Sequence, residues 1–372
     1  MINRTTQWLN QSFRYRVFRL FVYRERKFYQ LLLVLFIIAG IAYPYPQAAM
    51  WLGFLFAGYS AIANDSIQTI GTFLASNAKR PWWLLWLFIS SIFVATMTYS
   101  WITYTGDVSY ERLASKGFAE APKSFQFLQL AAPLVLLFLT RLKMPVSTTF
   151  LCLSVYSANF NGIQSMLTKS VSGYVVSFVT AIIIWFLLAK PIKRFTTGEP
   201  SGIWTALQWL ISGTLWSVWL MQDGANIAVT LPRSLSMMQF LIFLGYIVIG
   251  LGILFYLRGD KIQGIVTEKS QVADVRAASI VDLIYAVILF VFKEISNIPM
   301  STTWVFLGLM AGREMAMTLM KVYETNRAMP ATLRIIRKDI FNAAIGLVVS
   351  VVIAILVNPS IQQEIAERLS MR

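Results

Sequence analysis

The chain contains no histidine and a single cysteine, Cys152. Without histidine it lacks the commonest transition-metal ligand and the side chain that most often relays protons near neutral pH, which excludes His-based metal centres and His-dependent catalytic triads. One cysteine cannot close an intramolecular disulfide. Charge is also scarce. Only 13% of the 372 residues are Asp, Glu, Lys or Arg, and acids are the rarer sign, 17 against 32 bases. What fills the space is apolar: 57% of residues are hydrophobic and the mean hydropathy is +0.63. That balance excludes an ordinary water-soluble domain and points to the bilayer as solvent.

Apolar runs recur along the whole chain, at Leu31 to Tyr45, Trp82 to Tyr104, Phe125 to Thr140, Val171 to Ala189, Trp204 to Leu220, Leu235 to Leu257, Ile280 to Phe292 and Ile340 to Val357. Several are shorter than the roughly 20 residues that span hydrocarbon, so they need flanking residues or tilt. The net charge of +15 sits mainly between these runs, which fits anionic lipid headgroups and the positive-inside bias rather than nucleic acid. Arg14, Arg16, Arg19, Arg24, Arg26 and Lys27, interleaved with Phe13, Phe18, Leu20, Phe21 and Val22, predict an interfacial amphipathic helix that keeps the N-terminus cytoplasmic, in the plasma (cell inner) membrane. The stretch is too long for the basic part of a signal peptide, and no small-residue cleavage site follows the apolar run. Trp82, Trp83, Trp86 and Trp101 flank one span as interfacial anchors, and Gln362 to Arg372 reads as a short amphipathic surface helix.

Two motifs occur twice, in the same order and at nearly equal offsets. Asn64-Asp65-Ser66-Ile67-Gln68 is matched by Gln222-Asp223-Gly224-Ala225-Asn226, and Pro145-Val146-Ser147-Thr148-Thr149 by Pro299-Met300-Ser301-Thr302-Thr303. Each half then reads as a helix ending in the Asp motif, a long span, a span leading to the hydroxyl motif, the helix that motif opens, and a closing span. About five crossings per half put the second half upside down, the inverted-topology repeat of alternating-access carriers. Leu31 to Tyr45 has no counterpart and adds an N-terminal helix, for about eleven segments in all. The expected fold is thus an all-α polytopic membrane protein: residues 1–46 as basic segment and extra helix, 47–196 as first repeat, 197–372 as second. The linker is expected at Lys190 to Gly202, and polar loops at Thr105 to Ser124 and Arg258 to Arg276.

An ionised Asp inside a bilayer is costly unless paired, so Asp65 and Asp223 mark a candidate site. Carboxylate plus amide oxygens is the ligand set of a hard cation, which assigns Asn64, Asp65, Gln68, Gln222, Asp223 and Asn226 to cation binding. Ser66 and Gly224 are expected to let the helix unwind there. Proline followed by hydroxyls suits a first helical turn, and a helix N-terminus offers amides and a positive dipole end to an anion. Ser147, Thr148, Thr149, Ser301, Thr302 and Thr303 are therefore the candidate anion ligands. Helix capping is the bland alternative for each motif, and the duplication argues against it. Lys293, Glu294, Arg313 and Glu314 are expected to pair with neighbours or lipid, and Asn159 and Asn161 to serve helix packing.

On these residues the chain resembles the inorganic phosphate transporter family, whose halves each carry a GANDVAN-like motif and a later PVSTTH-like motif. Ile62 to Gln68 and Met221 to Asn226 match the first, Met144 to Phe150 and Ile298 to Trp304 the second, and the pattern organises the chain from about Trp51 onward. The resemblance implies symport of inorganic phosphate with Na⁺ or H⁺, no other cofactor, and no enzymatic activity. The chain departs from the pattern in four ways. Phe150 and Trp304 replace the motif-ending histidine, and Ile62 and Leu220 the leading glycine. Gln68 and Gln222 replace asparagines, and Asp282 stands where a glutamate is usual, with only Gln126 and Gln129 in the first half. A divergent member is implied, with sulfate or another oxyanion as the alternative cargo and a non-transporting membrane sensor or scaffold as the alternative role. Dimers are common among such carriers, and a homodimer is the expected assembly.

Overall fold

The computed structural model describes residues 25–114, 117–142, 144, 146–195, 200–257, 274–295, 299–320 and 329–370, and the regular structure among them is helical. The first half comprises α1 (Arg26–Ala42), α2 (Pro46–Ser60), a π turn (Ala61–Asp65), α3 (Ser66–Ser76), α4 (Trp82–Thr103) and α5 (Phe127–Arg141). A second π turn (Thr149–Leu153) and a 3₁₀ turn (Ser154–Tyr156) then lead into α6 (Phe160–Phe195). The second half is α7 (Gly202–Ala228), α8 (Met237–Tyr256), α9 (Val275–Ile295), α10 (Thr302–Met320), α11 (Met329–Val357) and the surface helix α12 (Pro359–Ser370).

Local chemistry explains many of the starts. Pro46 sits in the first turn of α2, where its missing N–H costs nothing. Gln126 with Gln129, and Ser236 with Gln239, form reciprocal capping boxes on α5 and α8. Asp274 caps α9. Its Oδ1 accepts the Arg276 backbone N–H at 2.8 Å and its carboxylate pairs with the Arg276 guanidinium at 2.7 Å. Burial works against that carboxylate, but these bonds and the Ala277 N–H outweigh it and hold Asp274 below the usual carboxylate range.

Among the described residues, five helices are long and apolar enough to cross a membrane: α4, α6 as far as Leu188, α8, α9 and α11. Leu187, Ile249, Ile253, Val352 and Leu356 are exposed on them, a density of outward apolar side chains that suits lipid and not water. The chain is an integral membrane protein. About eleven independent crossings are expected from the apolar runs, and the remaining helices fall short for physical reasons. The α2–α3 segment is interrupted by the π turn, α7 carries Gln208, Gln222 and Asp223, and α10 carries Arg313 and Glu314. The linker is shorter than expected because α6 continues through Pro191 to Phe195, a tolerated proline position in membrane helices. The expected N-terminal surface helix up to residue 24, and the polar loop over 258–273, lie outside the described residues.

Two exchanges organise the packing. The most extensive helix pair is α6 with α10, the closing helix of the first half against the hydroxyl-motif helix of the second. Reciprocally, α11 packs on the Thr149–Tyr156 turns of the first half. The α6–α10 contact is made by Gly308 and Gly312, four residues apart on one face of α10. A Cβ at Gly308 would strike the Ser177 hydroxyl and the Tyr174 carbonyl, and one at Gly312 the Phe178 carbonyl. Small residues at this spacing let two helix backbones approach closely in lipid.

The indoles divide. Trp82 and Trp83 are exposed, as anchors are, while Trp86 and Trp101 are half-buried and also tie helices together. Their Nε1 atoms donate to the Val248 carbonyl (2.9 Å) and the Leu235 carbonyl (2.8 Å), tying α4 to α8 and the loop before it.

Substituting Gly308 by leucine should destabilise the detergent-solubilised protein by about 1–3 kcal/mol, read as a lower thermal midpoint, while Gly245→Leu on α8, where a Cβ meets nothing, should be neutral. Asp274→Ala should cost about 1 kcal/mol at pH 7. Because the folded carboxyl titrates below its unfolded value of about 3.9, the difference between parent and variant should be full above that pH and vanish as the pH falls through the folded value.

Candidate functional site

The first Asp motif lies in the π turn that joins α2 to α3, a widened turn typical of functional positions. Asn64 and Asp65 are buried. Asn64 Nδ2 donates to Asp65 Oδ1 at 2.6 Å, while Asn64 Oδ1 accepts from Gln68 Nε2 at 3.5 Å and from Thr140 of α5 at 3.4 Å. The second motif differs. Asp223 lies inside α7, which stays α-helical to Ala228, and neither motif ends its helix by unwinding. Here the amide partner follows the acid instead of preceding it: Asn226 Nδ2 donates to Asp223 Oδ1. Gln222 Nε2 is used elsewhere, on the Leu289 carbonyl of α9 at 2.9 Å.

The two serines do act as caps. Ser147 Oγ accepts the Phe150 N–H and Ser301 Oγ the Trp304 N–H, each at 3.2 Å. The regular helix expected after Ser147 does not form, and its place is taken by the π and 3₁₀ turns, whereas Thr302–Met320 is regular. Asn159 Oδ1 accepts the Gly162 N–H at 2.9 Å and so caps α6, a capping role beyond the packing expected of it.

The threonines connect the motifs. The Thr148 hydroxyl sits beside the Asp65 carboxylate and the Thr302 hydroxyl beside Asp223. Thr149 reaches across the halves: it donates to the Met300 carbonyl at 3.0 Å and accepts from Asn226 Nδ2 at 3.1 Å. Thr303 is buried in the same turn. Phe150 and Trp304, which replace the histidines of the resembling family, touch each other edge-on with ring centroids 6.1 Å apart. The structure thus gathers both Asp motifs and both hydroxyl motifs into one buried region, with Asp65 and Asp223 near enough to repel.

Five buried oxygens in that region make no hydrogen bond of good geometry: Asp65 Oδ2, Asp223 Oδ2, Thr148 Oγ1, Gln222 Oε1 and Asn226 Oδ1. An unsatisfied buried polar group costs about 1–3 kcal/mol, so this set is expensive as it stands. Four of the five can only accept, and oxygen acceptors without donors are the complement of a hard cation.

Asp282 stands apart. Both of its oxygens are satisfied, by Thr72 of α3 and Ser212 of α7, each at 2.6 Å. Gln126 and Gln129 form the capping box of α5, and Gln129 Nε2 donates to the Val155 carbonyl at 3.1 Å. Lys293 pairs with Glu294 at 2.7 Å and Arg313 with Glu314 at 3.4 Å, the neighbour pairing expected of them.

Two residues escaped sequence reasoning. Tyr285 of α9 donates to the Thr302 carbonyl at 3.0 Å and lies within electrostatic range of both aspartates. Its position one turn after Asp282 was the available signal. Arg112, in the loop after α4, is fully buried and its Nε donates to the Met221 carbonyl at 2.8 Å. An arginine in a polar loop otherwise reads as a headgroup contact, so no sequence signal marked it.

Buried acids, hydroxyl-capped turns and exchanged closing helices characterise this all-helical membrane fold. A solved structure described as the sodium-dependent phosphate transporter shares it, with a TM-score of 0.50 and 18% identity over 86% of this chain and 96% of that one. At that identity the likeness is one of fold. No family model and no curated protein matches the chain.

The Thr149 bridge is testable with the native cysteine, which is buried three residues further along the same turn. Thr149→Val removes its bond to Met300, worth about 1 kcal/mol, and should raise the rate of Cys152 maleimide labelling about fivefold, read by mass spectrometry.

Proposed function

We propose that the chain is a secondary active transporter that carries inorganic phosphate across the plasma (cell inner) membrane in symport with a cation, by alternating access. The observation that carries this reading is the set of five buried oxygens without a hydrogen bond of good geometry, lying against two hydroxyl-capped turns, one from each half. The cation would settle among Asn64, Asp65, Gln68, Gln222, Asp223 and Asn226 and cancel negative charge there. An oxyanion would then meet the hydroxyls of Ser147, Thr148, Thr149, Ser301, Thr302 and Thr303 and the amides of those first turns, where helix-end partial charge favours anions. Each ion lowers the cost of binding the other, and that shared free energy is what couples them. Coupling by Na⁺ or H⁺ suits an oxygen-only site equally, and Asp282, held by Thr72 and Ser212, is a further buried acid.

Alternating access is supported by the exchanged packing, because α6 and α11 each clasp the other half's hydroxyl motif. In this reading the halves are inverted repeats that rock about the site, and opening it breaks the Thr149 link between Asn226 and Met300. In this reading the N-terminus lies in the cytoplasm.

The test is uptake of labelled phosphate into proteoliposomes under an inward Na⁺ gradient or a pH gradient. Gradient-driven uptake should occur, fall at least about tenfold in Asp65→Asn and in Ser301→Ala/Thr302→Ala, and be suppressed by unlabelled phosphate more than by sulfate. Uptake of sulfate in place of phosphate would retain the site with another cargo. Movement of neither in correctly inserted protein would leave the sensor or scaffold role.

A further inference from the structure

The two Asp motifs match in sequence but not in their electrical surroundings, and the difference lies in the loop between α4 and α5. That loop enters the protein instead of skirting it. Its backbone is left-handed at Tyr110 (φ 55°) and Glu111 (φ 60°), unfavourable for residues with side chains. Side-chain bonds hold it there. Asp107 accepts the Ser109 N–H and the Glu111 N–H at 2.7 Å each, and the Tyr110 hydroxyl donates to the Thr96 carbonyl at 2.6 Å. From the second half, Arg233 donates to the carbonyls of Phe118 (3.0 Å) and Glu120 (2.7 Å). Gly224 completes the fit, because a Cβ there would lie 2.8 Å from the Val108 carbonyl. The glycine of the second Asp motif thus admits the loop and does not serve helix unwinding.

The side chain this loop delivers is Arg112, which keeps its charge at any physiological pH. Its Nε is bonded to the α7 carbonyl two residues before Asp223, and the guanidinium and the Asp223 carboxylate interact electrostatically. Glu294 is also within range of Arg112, but it is about half exposed and already paired with Lys293. Lys169 of α6 is buried near Arg112. Asp65 has different company: its contacts are the Thr148 hydroxyl and the Asn64 amide.

We propose that Arg112 is the resident counter-charge of Asp223, leaving Asp65 as the acid whose charge is met by the mobile cation. The two motifs are then unequal sites, and the acid pair binds one coupling cation per cycle, not two. This rests on the symport reading for its consequence, but the pairing itself concerns folding energetics and is measured without transport.

The experiment is a mutant cycle on thermal stability of the full-length protein in detergent. Arg112→Gln should lower the midpoint by several degrees, Asp223→Asn added to it should recover most of the loss, and Asp65→Asn added to it should recover clearly less. Arg112→Lys should retain more than half of the parent's advantage over Arg112→Gln. Should Arg112→Gln not yield folded protein, the single variants decide: Asp223→Asn lowers the midpoint and Asp65→Asn does not. Equal rescue by the two Asp substitutions, rescue by Asp65→Asn alone, no rescue by either, or single variants that behave alike would each overturn the proposal. A successful cycle with no phosphate uptake would retain the pairing and discard the symport reading.

Discussion

Everything in this protein is arranged around the cost of keeping two carboxylates inside a membrane. A charged acid at mid-bilayer costs roughly 2.5–3.5 kcal/mol on insertion scales and more when isolated. The chain has few acids, and it buries two of them a few residues from side-chain amides and hydroxyls, with oxygens still unsatisfied. A structural core has no use for that expense. In the proposed reading a bound ligand would return that cost at the moment of binding, and the packing of the halves keeps those oxygens together.

The way the halves interlock follows from that need. Each hydroxyl motif must present the first turn of a helix deep in the protein, where orphan amides are tolerable only if enclosed. The enclosure comes from the opposite half: α6 lies on α10 through the glycine face of Gly308 and Gly312, and α11 covers the turns that hold Thr149. Because the clasp is reciprocal, each hydroxyl motif is packed by the closing helix of the other half. Thr149, bonded to Met300 and Asn226, is the smallest unit of that linkage.

Much of this was legible in the sequence, and the exceptions share a cause. Apolar runs identify a membrane protein, and a repeated pair of motifs picks out Asp65, Asp223 and the two Ser-Thr-Thr turns, which the fold does bring into one region. What periodicity could not reveal is how equal motifs become unequal. The first Asp sits in a π turn and the second in an unbroken helix, so Asn64 and Asn226 reach their acids from opposite sides. Gly224 looks like a flexible residue until Val108 is seen against it, and nothing local in the sequence shows that the indoles of Trp86 and Trp101 bond to backbone carbonyls of another segment. Arg112 depends wholly on a tertiary event, the insertion of a loop, that no local pattern encodes.

The central claim is that the acids and the hydroxyl turns form a single ligand site. It is tested most directly by an experimental structure of the purified protein with phosphate and sodium present, refined against data fine enough to place side chains. The account predicts anion density bounded by Thr148 and Thr302, beside the Asp65 and Asp223 carboxylates. Density for phosphate elsewhere, with those hydroxyls and carboxylates closed on one another and no ligand between them, would contradict it.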